Sequence, residues 1–182
     1  MVSVQLAPVS SDDLLSSVLL KEENSLLLVS ISLREEGERS IEIAPPAFSP
    51  PSVIASLDSL SQILANTFSY CILPHEKLSF KATLTYINTD TASVPTLLDL
   101  STYGIGLALL LSGVPMRDTP ISSLHTTRGG VSWISRGYFT EKLLGLSLEN
   151  DAAPEEVKKW VEEKPAAQMA CLKTQLSTLL AK

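Results

Sequence analysis

The chain has 182 residues, 45% of them hydrophobic and 19% charged, and a formal net charge of -6; it is long enough to close a core without disulfide or metal staples. The acidic balance and the scattering of its 14 Lys and Arg exclude tight nucleic-acid binding by the chain alone, because counterion release needs clustered cations. Cys71 and Cys171 lie 100 positions apart in apolar segments and read as buried thiols of a reducing compartment. The opening MVSVQLAPVSSDD has neither a basic start nor a continuous apolar region, and the longest apolar run, GIGLALLL, is short for a bilayer, so neither a signal peptide nor a membrane role is expected.

The first half reads as strands. SLLLVSISLR sets Leu27, Val29, Ile31 and Leu33 on one face and Leu26, Leu28, Ser30 and Ser32 on the other. EEGERS then forms a polar turn around Gly37, and IEIA is expected to pair back on the strand before it. PPAFSPPS, with four prolines in eight residues, is a connector that cannot donate into a sheet. From Pro51 to Tyr70 the spacing of Val53, Ile54, Leu57, Leu60, Ile63, Leu64 and Phe68 predicts an amphipathic helix docked on a sheet. KLSFKATLTYIN alternates again, with Leu78, Phe80, Ala82, Leu84 and Tyr86 opposite Ser79, Lys81, Thr83 and Thr85, so one sheet face meets water or a partner.

After the polar loop TDTASVPT, residues Thr96 to Ser112 predict a helix that is apolar nearly all round, with Gly104 and Gly106 permitting close backbone approach; it belongs at the centre of the fold or under another chain. Gly113 suits the left-handed residue after a last helical turn, and Pro115 cannot continue the helix. ISSLHTTRGGVSWISRGYFTEKLLGLSLEN reads as short strands around a Gly129-Gly130 turn. Pro154 opens a helical tail with Glu155 and Glu156 in its first turn; Pro165 divides that tail, and Met169, Leu172, Leu176 and Leu179 mark a second helical face.

No residue set assembles into a catalytic or metal site. His75 and His125 have no nucleophile elbow near them and are expected to face solvent, and no Cys-x-x-Cys, His-x-x-x-His or phosphate-loop spacing is present. TTRGG is read as a Gly-Gly hairpin turn in preference to a phosphate cradle. Trp133 packs in a strand and Trp160 on a helix face, and either could anchor a partner. The acid-poor stretch from Arg117 to Arg136 holds Arg117, Arg128 and Arg136 against the single acid Asp118, a weak basic patch that reads first as a solvated loop and, if it lines a channel, as a set of candidate RNA contacts. Arg117 and Asp118 also suit a surface turn that locks the loop or pairs across a subunit boundary.

The order of these elements, closing on LALLLSGVPMRD, resembles the RNase PH family, and in particular the non-catalytic RNase-PH-like subunits of the eukaryotic exosome core. KLSFKATLTYINTD is similar to the strand before the family's central helix, and VSVQLAPVSSDDLLSSVLLKEENSLLLVSIS to its first strands. The resemblance covers about residues 2 to 124 and, more loosely, the C-terminal helix. It implies an α+β, RNase PH-like fold (ribosomal protein S5 domain 2-like), a mixed sheet with helices packed on one face. The expected organisation is a single domain over residues 1–182, with 151–182 a C-terminal helical segment.

Where the phosphorolytic members carry a Gly-Thr-Arg type sequence before the central helix, this chain has TDTASVPT. APPAFSPPSVIASL supplies none of the arginines that serve those members, and Asp151 has no acidic partner at a metal-binding spacing. The resemblance therefore implies a catalytically inert ring subunit with no cofactor. Its partners would be the other RNase-PH-like ring subunits and, through the assembled complex, RNA. The location implied is the nucleus, including the nucleolus, and the cytoplasm. An active phosphate-dependent 3′ exoribonuclease and an unrelated α+β assembly chaperone or adaptor are the alternatives.

Overall fold

Alternating apolar residues build two sheets, and the all-apolar helix lies between them. The computed structural model describes residues 3–9, 12–22, 25–34, 39–44, 51–73, 79–88, 93–127, 130–148 and 153–163, with isolated positions at 170, 173, 174 and 177. The first sheet contains β1 (Ser3–Leu6), β2 (Leu14–Glu22), β3 (Ser25–Leu33), β4 (Arg39–Ala44) and β5 (Phe80–Asn88), in the order β1-β2-β3-β5-β4. The helix α1 (Pro51–Cys71) joins β4 to β5, and α2 (Val94–Leu111) follows β5. The second sheet is β6 (Pro120–Thr127), β7 (Gly130–Gly137) and β8 (Leu143–Ser147), and α3 (Pro154–Glu162) comes last.

The predicted faces hold among the described residues, except that Ser79, expected on the open face, is buried. Leu27, Val29 and Ile31 of β3 and Phe80, Ala82, Leu84 and Tyr86 of β5 are buried, as are Leu57, Leu60, Leu64 and Phe68 of α1. On the opposite face of the first sheet Lys81, Thr83 and Thr85 are half-buried and Ile87 is exposed. The pairing of IEIA is different from the hairpin its sequence suggested. β3 pairs antiparallel with β5, with Val29 opposite Leu84, and β4 lies beyond it, parallel to β5, with Ile41 opposite Ala82. A parallel pair needs a long crossover, which α1 supplies, so β5 takes the place beside β3 that the short 35–38 connection appeared to reserve for β4. Glu42 of β4 pairs with Lys81 of β5 and with Arg34 just past β3, tying this edge to its neighbours.

Two sheets rather than one explain α2. Its face toward the first sheet packs on β2 and β3 and its other face on β6 and β7, so Pro95 and the run from Leu100 to Leu109 are buried. It is long and apolar enough to cross a membrane by length and composition, yet 72% of that window is buried inside this protein, which is what a core helix requires. Gly104 is needed for the fit: a Cβ there would stand 2.8 Å from Val29 Cγ2 and 2.9 Å from Leu20 Cδ1. Gly106 has ordinary spacing by comparison, with its nearest neighbour at 3.7 Å. Ser93 caps the start of α2, and Gly113, at φ 70°, ends it while the Val114 N–H donates to Leu109 O at 3.2 Å.

In the second sheet β6 and β7 pair antiparallel with Thr127 opposite Gly130, so Gly130, expected in the turn, is the first residue of β7. Trp133 is fully buried. Pro154 opens α3, and Glu156 accepts from the Ala153 N–H at 3.3 Å. His75, Gly37, Arg128, Asp151, Pro165 and Cys171 lie outside the described residues, as does most of the predicted second tail helix.

Candidate functional site

The stretch that ends α2 is tied to two other segments. The Arg117 N–H donates to Cys71 O at 2.7 Å, the Leu73 N–H to Pro115 O at 3.0 Å, and Ile72 forms an antiparallel bridge with Met116. These bonds clamp residues 115–118 onto the end of α1. The turn between β7 and β8 joins from the other side, the Tyr138 N–H donating to Thr119 O at 2.9 Å.

Asp118 holds this corner together, and here the structure corrects the surface turn read from sequence: the side chain is 1% exposed. Its Oδ1 accepts from the N–H groups of Thr119 at 2.8 Å and Phe139 at 2.9 Å, and its Oδ2 from the Thr140 N–H at 3.1 Å and the Thr140 hydroxyl at 2.5 Å. Burial acts to raise the carboxyl, but these donors outweigh it and hold the group below the usual aspartate range. A Cβ at Gly137 would fall on the Asp118 carboxylate, which fixes a glycine there. Cys71 lies beneath: burial, reinforced by the Asp118 charge, pushes its thiol up to about 12, so it stays neutral and unreactive.

Above this buried anchor the corner is cationic and aromatic. Arg117 Cζ lies 5.5 Å and Lys142 Nζ 4.3 Å from the centroid of the Tyr70 ring on the last turn of α1, both within cation–π range. Phe139 meets Tyr138 edge-on at 4.8 Å and is 73% exposed. Sequence reading singled out Arg117 but missed Tyr70, Phe139 and Lys142. GYFTEK carried the one available signal, two aromatics and a lysine inside a turn. The corner can offer two cations and an exposed ring to a ligand that is both anionic and planar.

The other candidate arginines are placed differently. Arg136 sits within β7, opposite Ile121, and is 7% exposed, so it presents far less surface than Arg117. A second cluster lies on β6, where the His125 ring stacks on Trp160 of α3 at 4.9 Å and 15°. Its Nε2 is 2.9 Å from Ser123 Oγ and its Nδ1 4.0 Å from Glu163. His125 is thus half-buried rather than solvent-facing, and burial lowers its imidazole below the ordinary value against the upward pull of Glu163. Among the described residues no three His, Cys, Asp or Glu side chains gather where a metal could be held.

No protein-family model matches the chain, and no curated protein matches it. Solved structures do. Rice (Oryza sativa) Rrp46 superposes with a TM-score of 0.76 at 15% identity, over 99% of this chain and 94% of that one. A chain of the Archaeoglobus fulgidus exosome with RNA bound to the active site gives 0.69 at 11% identity, over 96% and 87%. One from an archaeal exosome core gives 0.62 at 10% identity, over 89% and 81%. The chain therefore has the fold shared by these three structures, the RNase PH-like α+β fold that its sequence led us to expect.

Proposed function

We propose that the chain is a structural subunit of an RNA exosome core ring, supporting RNA 3′-end processing and degradation without catalysis of its own. The observation that carries this reading is the near end-to-end correspondence with rice Rrp46, 99% of this chain against 94% of that one. The residues support inertness: TDTASVPT precedes α2 without the arginine and glycine of a phosphate clamp, and Asp118, the buried carboxylate nearest the end of α2, already accepts four hydrogen bonds. Its partners on this reading are other RNase-PH-like chains, met through the half-open face of the first sheet and the exposed Leu143, Leu146 and Leu148 of and beside β8. RNA reaches Arg117 and Arg128 only in the assembly, in the nucleus, nucleolus and cytoplasm, while Arg136, 7% exposed within β7, is left out of that contact.

The test is purification of the tagged chain from its own cells, followed by mass spectrometry of what accompanies it. Other RNase-PH-like chains in comparable amounts are expected. Their absence would overturn the reading in favour of an adaptor.

A further inference from the structure

The corner above Asp118 deepens this reading, on which the choice of ligand rests. We infer that Tyr70, Arg117, Phe139 and Lys142 form a binding site for one nucleotide step of single-stranded RNA, with Phe139 stacking on a base and Arg117 and Lys142 holding the flanking phosphates.

The first observation is charge without a matching carboxylate. Arg117 and Lys142 flank one ring at 5.5 and 4.3 Å, and among the described residues neither forms an ion pair. Asp118, the carboxylate adjacent in sequence, is turned inward and already accepts four hydrogen bonds, while Glu141 has a partner of its own. Two cations held beside a tyrosine suit an external anion, and the ring keeps them together despite their mutual repulsion.

The second observation is the state of Phe139. An aromatic ring exposed to 73% would ordinarily be mobile, yet the backbone that carries it is fixed, because its own N–H and that of Thr140 both donate to the buried Asp118. Tyr138 meets the ring edge-on. An exposed ring on a backbone held by Asp118, in the same turn as Lys142 and bonded to the residue that follows Arg117, is the chemistry that recognises an unstacked base and its phosphates, and it needs no sequence preference. An interface with protein would instead draw on the leucines of β8, and the cations on Tyr70 would then require an acidic partner.

The test uses the tagged full-length chain purified with whatever accompanies it, and a single-stranded oligouridylate as probe. Phe139→Ala should weaken binding about tenfold and Phe139→Trp should restore it, since stacking tolerates either ring. Arg117→Ala with Lys142→Ala should lower the slope of log affinity against log salt by about 1.4, at roughly 0.7 per phosphate contact for a single strand. Photo-crosslinking with a thiouridine-substituted probe should label the peptide containing Phe139 or the one containing Tyr70.

Unchanged affinity and superimposable salt lines would overturn the inference. So would Phe139→Ala shedding protein partners while RNA affinity stayed constant, which would make the corner a protein interface. Failure of the exosome reading is separate: if no RNase-PH-like chain accompanies the protein but Phe139→Ala still weakens oligouridylate binding, the site stands and the ring role falls.

Discussion

Replacing Asp118 with alanine should be among the most damaging single changes in the second half of the chain. The carboxylate is 1% exposed and accepts four hydrogen bonds, two from the Thr119 and Phe139 amides and two from Thr140. Bonds to a charged acceptor are worth about 1.5–3 kcal/mol each. They are not additive, and Phe139 and Thr140 are exposed enough for water to replace part of the loss. A net cost of about 3 kcal/mol is therefore expected, which for a domain of this size lowers Tm by roughly 6–12 °C. Asp118→Asn keeps one acceptor oxygen and should fall between. The sign with pH follows from a folded-state carboxyl held below its unfolded value. Its contribution is complete above the unfolded aspartate pKa of about 3.9 and is lost as pH falls through the lower folded value, so the gap between wild type and Asp118→Asn should close only in strong acid. Circular dichroism melts and urea titrations across this range measure both effects. An Asp118→Ala protein within about 1 kcal/mol of wild type would refute the role given to the anchor.

The same corner predicts that Gly137→Ala is destabilising by roughly 1–3 kcal/mol, because the added Cβ would overlap the Asp118 carboxylate; an unchanged melting curve would contradict the packing. Trp160→Ala should cost about 0.5–1.5 kcal/mol of local stability at the His125 stack, seen as faster amide exchange in α3 with little change in global melting. The purified chain should release no nucleoside diphosphates from single-stranded RNA in the presence of inorganic phosphate and magnesium. Activity that survives repurification and disappears on mutation of this chain would overturn the inert reading.

Local periodicity carried the elements well, and long-range pairing was where sequence reasoning stopped. The alternation from Phe80 to Tyr86 and the helical spacing from Leu57 to Phe68 are properties of neighbouring residues, and both led to the observed buried faces. The uniform hydrophobicity of α2 correctly placed it at the centre, although it took the second sheet to show what covered its other side. The place of β4 depended on β5, which enters the chain only after α1, so proximity in sequence pointed to the wrong neighbour. Asp118 looked like a solvent-facing turn residue because the amides it accepts from belong to a turn 21 and 22 positions later. His125 likewise looked exposed because Trp160 reaches it from a separate helix. At the candidate site, charge clustering found Arg117, but its grouping with Tyr70 and Lys142 exists only once α1, the 115–118 segment and the β7–β8 turn meet.

Native mass spectrometry of the complex purified through a tag on this chain tests the central claim most directly. The account predicts an assembly of related RNase-PH-like chains that contains this one and that retains it on dilution, in keeping with the exposed apolar residues Ile87, Leu143 and Leu146 being covered by neighbours. A stable, well-behaved monomer, or an assembly without any other RNase-PH-like chain, would contradict it.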